Sequence, residues 1–198
     1  MSNTLYGWYY TDHWNGLTQD EKETNARLAM TYLRQHGFTI YAAAGIVGNM
    51  WAESMLNPGQ WEGDTPNSGG YGLVQWTPYT LYSQWAGQGW ENNGPKEMER
   101  ILYEREQGLE FYPSTHYPQW NWTNFSALEP VEGETATEAV NKAASIFLYN
   151  YLRPADPSAT EANRQFHARY VFEHCPGTAI PYWLLFKMSR INRHIYWR

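Results

Sequence analysis

The chain has 198 residues, enough for about one domain with a single hydrophobic core. Only 17% of its residues are charged, the net charge is −6, and eleven Trp and sixteen Tyr make it unusually aromatic. A mean hydropathy of −0.67 and the lack of any long apolar run exclude a transmembrane helix. The acidic balance argues against nucleic acid as a substrate.

The N-terminus and the single cysteine indicate where the protein folds. The first 16 residues show no basic segment followed by an apolar one, so we predict no signal peptide. Cys175 has no second cysteine to pair with, which is consistent with folding in a reducing cytoplasm. Its place before Pro176, near the C-terminus, favours a structural free cysteine over a catalytic thiol.

Residues 1–20 are aromatic and irregular, and they end at the first predicted helix. Thr18 and Glu21 have the T-x-x-E spacing of a capping box, which marks a helix start. Gly37 is a stop signal, so this helix is predicted to run to about residue 36.

The next helix carries the most informative residue of the chain. Residues 39–52 (TIYAAAGIVGNMWA) contain no charged side chain, and Thr39 is a good N-cap. We therefore predict a buried helix over 39–53, with Glu53 at its C-terminal end. Apolar surroundings and the negative end of the helix dipole both favour a protonated carboxyl. A carboxyl that is protonated near neutral pH is what a general acid requires, most familiarly in glycoside hydrolysis.

Loops and helices alternate along the rest of the chain. Residues 57–80 are rich in Gly, Pro, Asn and Asp and predict loops with a small β-wing, and residues 112–133 predict one long loop. Ser158 and Glu161 have the spacing of another capping box. Further helices are predicted over residues 79–85, 95–109, 135–152 and 158–174.

Three short motifs follow one another around Glu53. They are GNMWAES at 48–54, NPGQWEG at 57–63 and GGYGLVQWTP at 69–78. Together they resemble the signature of the phage tail lysozyme family, in particular the lysozyme domain of tail-tip peptidoglycan-degrading proteins of small short-tailed phages. The ES pair followed by GLVQ is also similar to the motifs of goose-type lysozymes and lytic transglycosylases. The segment FLYNYLRPADP at 147–157 looks like the closing helix of the family.

The resemblance implies a mainly helical α+β fold, lysozyme-like with a small β-wing. It covers about residues 21–174, which we predict to be the catalytic domain. Residues 1–20 then form an aromatic N-terminal extension, and residues 175–198 form a basic C-terminal extension.

By position, the resemblance makes Glu53 the general acid. Glu62 and Asp64 lie in the predicted wing, where lysozymes often have a second carboxylate. Carboxyl groups about 5–5.5 Å apart would imply retention of configuration, and about 6.5–9.5 Å would imply inversion. A lytic transglycosylase needs no second carboxylate, so both residues can equally be solvated loop charges.

Five further residues are candidates for substrate binding. Gln75 of the GLVQ motif is expected to hydrogen-bond the acetamido sugar or to orient Glu53. Tyr71 and Trp76 are candidates for stacking on sugar rings, although core packing is the alternative for such aromatics. Asn150 and Tyr151 resemble the Tyr/Asn region that faces the acid in lysozyme-like folds. The six His are scattered and no metal or phosphate motif occurs, so we expect no metal and no cofactor.

The C-terminal extension differs in charge from the rest. Residues 174–198 contain four Lys and Arg and no Asp or Glu, which leaves ten basic against twenty acidic residues elsewhere. Pro181 and the apolar positions that follow it predict an amphipathic basic helix. This helix either packs on the body or docks to another phage tail protein or an anionic surface.

Three functions follow as hypotheses. The first is a virion-associated muramidase, made in the host cytoplasm, that cuts bacterial peptidoglycan so that a phage tail can penetrate the wall. The second is a lytic transglycosylase that leaves 1,6-anhydro ends. The third is a non-catalytic glycan-binding or structural tail module, against which the buried Glu53 argues.

Overall fold

Seven α-helices and one short hairpin make up residues 2–178, the part of the chain that the computed structural model describes. Strand β1 (Asn3–Leu5) pairs antiparallel with β2 (Trp8–Tyr10), with Asn3 opposite Tyr10. Tyr6 and Gly7 form the turn, and both have positive φ. Residues 1–20 are therefore not irregular as predicted, because Tyr6 gives none of the usual sequence signals of a hairpin turn.

The predicted helices are confirmed to within a few residues. Helix α5 was missed because it is a five-residue helix within the predicted loop 112–133, held in place by the burial of Trp122 and Phe125. A π-helical turn (Leu148–Leu152) continues α6 to the predicted end of that helix. The helices are α1 (Gln19–Gln35), α2 (Ile40–Ser54), α3 (Thr80–Ala86), α4 (Gly94–Gln107), α5 (Trp122–Ser126), α6 (Ala136–Phe147) and α7 (Ser158–His174).

Two of the three predicted helix caps are confirmed. Thr18 forms a reciprocal capping box with Glu21 on α1, and Thr39 accepts a hydrogen bond from Ala42 N on α2. The capping box predicted at Ser158 is wrong. Asp156 caps α7 instead, because its Oδ1 accepts from Ser158 Oγ at 2.7 Å and from Ala159 N at 3.2 Å.

The mainly helical α+β fold class is confirmed, but its small sheet is the N-terminal hairpin. Within residues 57–80, β structure consists of isolated antiparallel bridges from Tyr71 to Trp61 and to Trp76, so the small β-wing predicted there is reduced to these bridges among loops. The ring of Tyr71 also packs edge-to-face against Trp61 and Trp90, which holds this loop region together. Gly, Pro and Asn at so many of these positions favour turns over strands.

Helix α2 is the centre of the core. Eleven of its fifteen residues are buried, and α6 and α7 pack against it. Gly45 and Gly48 make this packing close. A Cβ on Gly45 would lie 2.7 Å from the backbone of Ala143 in α6, and one on Gly48 would lie 2.5 Å from the backbone of Ala168 in α7. The buried helix predicted over 39–53 is thus confirmed, and its two glycines set the distance between the helices.

The chain after α7 remains attached to the body as far as it is described. Cys175 is buried, and burial raises the pKa of its thiol to about 11, which favours the structural role predicted for it. Arg34 donates to the carbonyl oxygens of Pro176 and Gly177 at 2.8 and 3.1 Å. The basic helix predicted after Pro181 lies outside the described residues. Between residues 2 and 178, no helix has the length and hydropathy needed to cross a membrane.

We predict that Gly48→Leu lowers the free energy of unfolding by about 2–3 kcal/mol, because a side chain must be inserted where helix backbones touch. Urea unfolding of the purified protein measures this change. Ala162→Leu adds a similar side chain on the exposed face of α7 and should change stability by less than about 0.5 kcal/mol. Equal stabilities for the two variants would contradict the close packing of α2 on α7.

Candidate active site

A cavity of about 460 Å³ opens beside the C-terminal end of α2. Glu53 and Ala52 form the wall contributed by α2, and Glu62 belongs to the loop segment that also lines the cavity. The remaining lining residues are Trp14, Trp61, Gly63, Val74, Gln75, Thr77, Leu152 and Pro154. Glu53 and Glu62 thus line the same cavity, although they belong to different parts of the fold.

Glu53 lies in the last turn of α2. Met55, the residue that follows the helix, has a left-handed backbone conformation and terminates it. Its side chain is 19% exposed, so the carboxylate reaches the cavity from a largely buried position. Its Oε1 accepts a hydrogen bond from Nη2 of Arg164 at 2.6 Å. The apolar surroundings predicted for Glu53 are therefore wrong on this side, because a guanidinium group is its immediate neighbour.

Arg164 is held from three directions. Besides its bond to Glu53, its Nη1 donates to Asn49 Oδ1 at 3.2 Å, and its Nε donates to Thr160 Oγ1 at 3.2 Å. Its side chain is almost completely buried. The guanidinium is thus fixed before any ligand arrives, and it fixes one oxygen of Glu53 in turn.

The sequence analysis missed Arg164, although the spacing along the helices is consistent with its role. Helices α2 and α7 run antiparallel, with Gly48 against Ala168. Arg164 lies four residues before Ala168 in α7, and Glu53 lies five residues after Gly48 in α2. In an antiparallel pair these two positions lie on the same side of the contact. This pairing could be recognised only if the contact between Gly48 and Ala168 were already known.

The two candidates for a second carboxylate differ in position. Glu62 lines the cavity with Glu53, and its Oε2 accepts from Gly70 N at 2.8 Å. Asp64 does not line the cavity. Its Oδ1 accepts from Trp14 N at 2.9 Å and from the side-chain amide of Gln60 at 2.9 Å. Asp64 therefore anchors the N-terminal segment to this loop.

Trp14 is a second residue that the sequence analysis did not single out. It belongs to the predicted N-terminal extension, but it lines the cavity and is 46% exposed. Its backbone is fixed by Asp64, so the indole is available on the wall of the cavity. Part of the predicted extension therefore contributes to the site.

Gln75 lines the cavity as expected of a cleft-wall amide. Its backbone has a φ of 55°, and its Nε2 donates to the carbonyl oxygens of Gln60 at 3.1 Å and Gly72 at 2.9 Å. Because both partners are acceptors, the amide nitrogen must face them. The Oε1 atom is left to accept a hydrogen bond from a ligand.

Tyr71 and Asn150 are buried too deeply to contact a substrate, so we do not retain them as binding residues. Tyr71 is 1% exposed, and its hydroxyl accepts from Asn92 N. Asn150 is fully buried and holds the 112–120 loop, because its Oδ1 accepts from Ser114 N and its Nδ2 donates to Tyr117 O. Both residues stabilise the loops around the cavity.

Trp76 and Tyr151 line a second, smaller cavity of about 140 Å³. Their polar atoms are directed into the core, where Trp76 Nε1 and Tyr151 Oη donate to Glu104 at 3.0 and 2.5 Å. Glu104 is also paired with Arg100 at 2.6 Å. The two aromatics therefore offer the cavity carbon surface. The second cavity shares Val74, Gln75, Thr77 and Leu152 with the first, so the two cavities are adjacent.

A buried carboxyl group supports the turn that carries Gln75. Glu97 of α4 accepts from Leu73 N through Oε2 at 2.6 Å, and a Cβ on Gly72 would lie 2.6 Å from the same oxygen. Within residues 2–178, Oε1 of Glu97 has no hydrogen-bond partner. Burial without a cation raises the pKa of Glu97 well above its usual value. Glycine at 72 therefore lets the turn lie directly on a protonated carboxyl.

Residues 24–174 match the sequence profile of the phage tail lysozyme family. The chain belongs to this family. Among curated proteins, Morphogenesis protein 1 of Bacillus phage B103 is 36% identical over 171 residues, which are 81% of this chain and 42% of that relative. The chain thus spans less than half of the length of this relative. Membership of the phage tail lysozyme family confirms the resemblance found in the sequence, whereas the division into segments 1–20, 21–174 and 175–198 stays a prediction.

The described residues of this family member contain no cluster of side chains with the geometry of a metal site. No three His, Cys, Asp or Glu side chains between residues 2 and 178 are grouped so that they could hold a metal ion. His167 stacks on Trp51 with ring centroids 5.3 Å apart, and burial lowers its pKa to about 4. It is a packing residue beside Arg164.

We predict energetic coupling between Glu53 and Arg164. Arg164→Met should lower the free energy of unfolding by about 1–3 kcal/mol, because it leaves a largely buried carboxylate without its cation. In a Glu53→Gln background the loss should be smaller, which gives a coupling energy of at least about 1 kcal/mol. The exposed pair Lys96–Glu99 provides the control, for which Lys96→Met and Glu99→Gln should couple by less than about 0.5 kcal/mol. Additive losses at Glu53 and Arg164 would contradict the ion pair.

A second prediction concerns the pH dependence of stability. The raised pKa of Glu97 means that the folded state retains a proton that the unfolded state loses above about pH 4.3. Its contribution to stability is therefore complete at low pH and is lost as pH rises, by up to about 1.4 kcal/mol per pH unit. His167 acts in the opposite sense between about pH 4 and its ordinary pKa of 6.5, because its pKa is lowered.

Of Glu97 and His167, only Glu97 should still make the stability depend on pH above pH 6.5. We expect the unfolding free energy of wild type to fall relative to that of Glu97→Gln between pH 6.5 and 8, measured by urea unfolding. Glu99→Gln, an exposed change on the same helix, should leave the wild-type slope in place. Parallel pH profiles for wild type and Glu97→Gln would show that Glu97 is not held protonated.

Proposed function

We propose that this protein is a muramidase that cleaves the β-1,4 bond between N-acetylmuramic acid and N-acetylglucosamine in bacterial peptidoglycan. The observation that supports this most strongly is the position of Glu53, largely buried at the end of α2 and open to a groove. Membership of the phage tail lysozyme family supports a glycosidase-type activity on peptidoglycan.

Glu53 acts as the general acid in this proposal. In the free protein Glu53 is paired with Arg164 through Oε1, so Oε2 is the oxygen that is free to take up a proton and pass it to the glycosidic oxygen. As the bond breaks, positive charge develops on the sugar ring and the carboxyl becomes a carboxylate. Arg164 stabilises that carboxylate and holds its orientation, which is the positioning that proton transfer requires.

Glu62 is the residue best placed to assist water in a hydrolase. Gly70 N occupies its Oε2, which leaves Oε1 for a water molecule in the cavity. Trp14 and the Oε1 of Gln75 contact the sugar in this proposal, through ring stacking and through a hydrogen bond from the acetamido N–H. Asp64, which is engaged by Trp14 and Gln60, supports the wall of the cavity and takes no part in the chemistry.

One observation favours a second candidate, a lytic transglycosylase. Glu62 is exposed, and among residues 2–178 its carboxylate accepts a hydrogen bond only from the backbone N–H of Gly70. A transglycosylase would use Glu53 alone, because a group of the sugar itself attacks the oxocarbenium-like centre.

We also propose that the protein is virion-associated and acts when a phage tail penetrates the wall. The family description and the name of the phage relative support this role. Other tail proteins are then its expected partners.

The proposed activity is tested by digesting purified peptidoglycan and resolving the products by mass spectrometry. Glu53→Gln should lower the rate by about 10²–10⁴-fold, because it removes the general acid, while circular dichroism shows that the fold is kept. Glu99→Gln is the control, because Glu99 is exposed on α4 and lines neither cavity, and this variant should cleave like wild type. Unchanged cleavage by Glu53→Gln, or no product with wild type from any wall type, would overturn the proposal.

Glu62→Gln separates the two reactions. A hydrolase should release reducing N-acetylmuramic ends and lose activity in this variant. A transglycosylase should release products lighter by one water and be nearly unaffected.

A further inference from the structure

The second cavity contains polar groups that the proposed cleavage does not use. It adjoins the cavity with Glu53, and Val74, Gln75, Thr77 and Leu152 line both cavities. Its own lining residues are Trp76, Leu81, Glu110, Tyr151 and Arg153. The apolar members form carbon walls, and Glu110 and Arg153 are the charged members among the described residues that line it.

Arg153 presents a poorly satisfied cation to this cavity. Its Nη2 contacts Glu110 Oε2 at 3.3 Å, and its guanidinium carbon lies 4.5 Å from the centre of the Tyr112 ring. The side chain of Arg153 is 41% exposed, so this pair adds little to stability. A guanidinium has five N–H donors, and among residues 2–178 this one makes a single long side-chain bond, to the carboxylate of Glu110. Tyr112 fixes its direction while most donors remain free.

The backbone around the second cavity is strained where polar side chains point. Gln75, Glu110 and Arg153 have φ values of 55°, 60° and 50°, although none of them is glycine. A non-glycine residue in this conformation costs about 1–3 kcal/mol, and such residues cluster at ligand-binding positions. Strain at three lining residues of one small cavity indicates a site built to present these side chains.

We infer that the second cavity is a subsite for the peptide stem of the glycan, and that Arg153 binds a carboxylate of that peptide. This inference depends on the proposed function. In peptidoglycan the sugars themselves are neutral, apart from the lactyl group of N-acetylmuramic acid, to which the peptide is attached. The exposed carboxylates belong to the peptide, and a planar guanidinium matches a carboxylate with two parallel hydrogen bonds.

Glu110 occupies the place of the ligand carboxylate in the free protein. Its single bond of 3.3 Å is longer than a good charge-assisted bond, so an incoming carboxylate can replace it. The carbon surfaces of Trp76 and Tyr151 then take the short apolar side chains of the stem. The two residues should therefore affect binding in opposite ways. Arg153 attracts the ligand carboxylate, and Glu110 competes with that carboxylate for Arg153.

Two glycan substrates test this inference. Soluble glycan strands that carry peptide stems are compared with the same strands after an amidase has removed the stems and the lactyl carboxylates that this exposes have been converted to amides. Arg153→Gln should raise the ratio of KM on stem-bearing strands to KM on stripped strands by about tenfold, because a charge-assisted hydrogen bond is lost. Glu110→Gln should lower that ratio, because the competing carboxylate is gone. Arg27→Gln removes an exposed arginine of α1 that pairs with Glu23, and it serves as the control with an unchanged ratio.

Binding without turnover gives an independent readout. In a Glu53→Gln background, co-sedimentation should show that Arg153→Gln weakens binding to stem-bearing wall several-fold more than binding to stripped wall. If Arg153→Gln affects both substrates equally, or neither, the subsite is overturned while the muramidase proposal stands. If wild type cleaves neither substrate but binding still discriminates between them, the proposed function fails and the subsite remains.

Discussion

The close contact of α2 with α6 and α7 is the constraint on which the rest of the structure depends. Gly45 and Gly48 have no side chain at the points where the neighbouring backbones arrive. A larger residue at Gly48 would push α7 away from α2. Arg164 of α7 would then no longer reach Glu53 at 2.6 Å. The position of the proposed acid therefore depends on the two glycines, because their lack of side chains lets the neighbouring helices come close.

Two buried or largely buried carboxyl groups near the cavities, Glu53 and Glu97, are stabilised in different ways. Glu53 is paired with Arg164, which is itself bonded to Asn49 and Thr160, so its charge is neutralised by a fixed cation. Within residues 2–178 Glu97 has no cation beside it, and burial raises its pKa while its Oε2 accepts from Leu73 N beneath the Gly72–Leu73 peptide. Both groups position the site, the first at the reacting oxygen in our proposal and the second under the turn that carries Gln75.

The turn from residues 72 to 77 forms part of the wall of both cavities. Val74, Gln75 and Thr77 line both of them, and Gln75 has a strained backbone held by its own side-chain bonds. A ligand in either cavity would therefore contact some of the same residues. This arrangement suits a polymer, of which the glycan bond occupies one cavity and an attached group occupies the next.

The sequence by itself determined the helices, the general fold class and the place of Glu53 at a helix end, because capping residues, glycine stops and apolar runs act locally. It also identified the family through motifs that are continuous in the chain. Only the tertiary structure decided the partner of Glu53, the burial of Tyr71 and Asn150, the contribution of Trp14, and the different roles of Glu62 and Asp64. These depend on contacts between residues far apart in sequence, such as Arg164 with Glu53 and Trp14 with Asp64. No local pattern encodes them, because the distance between two helices is set by packing, and packing is a property of both surfaces together.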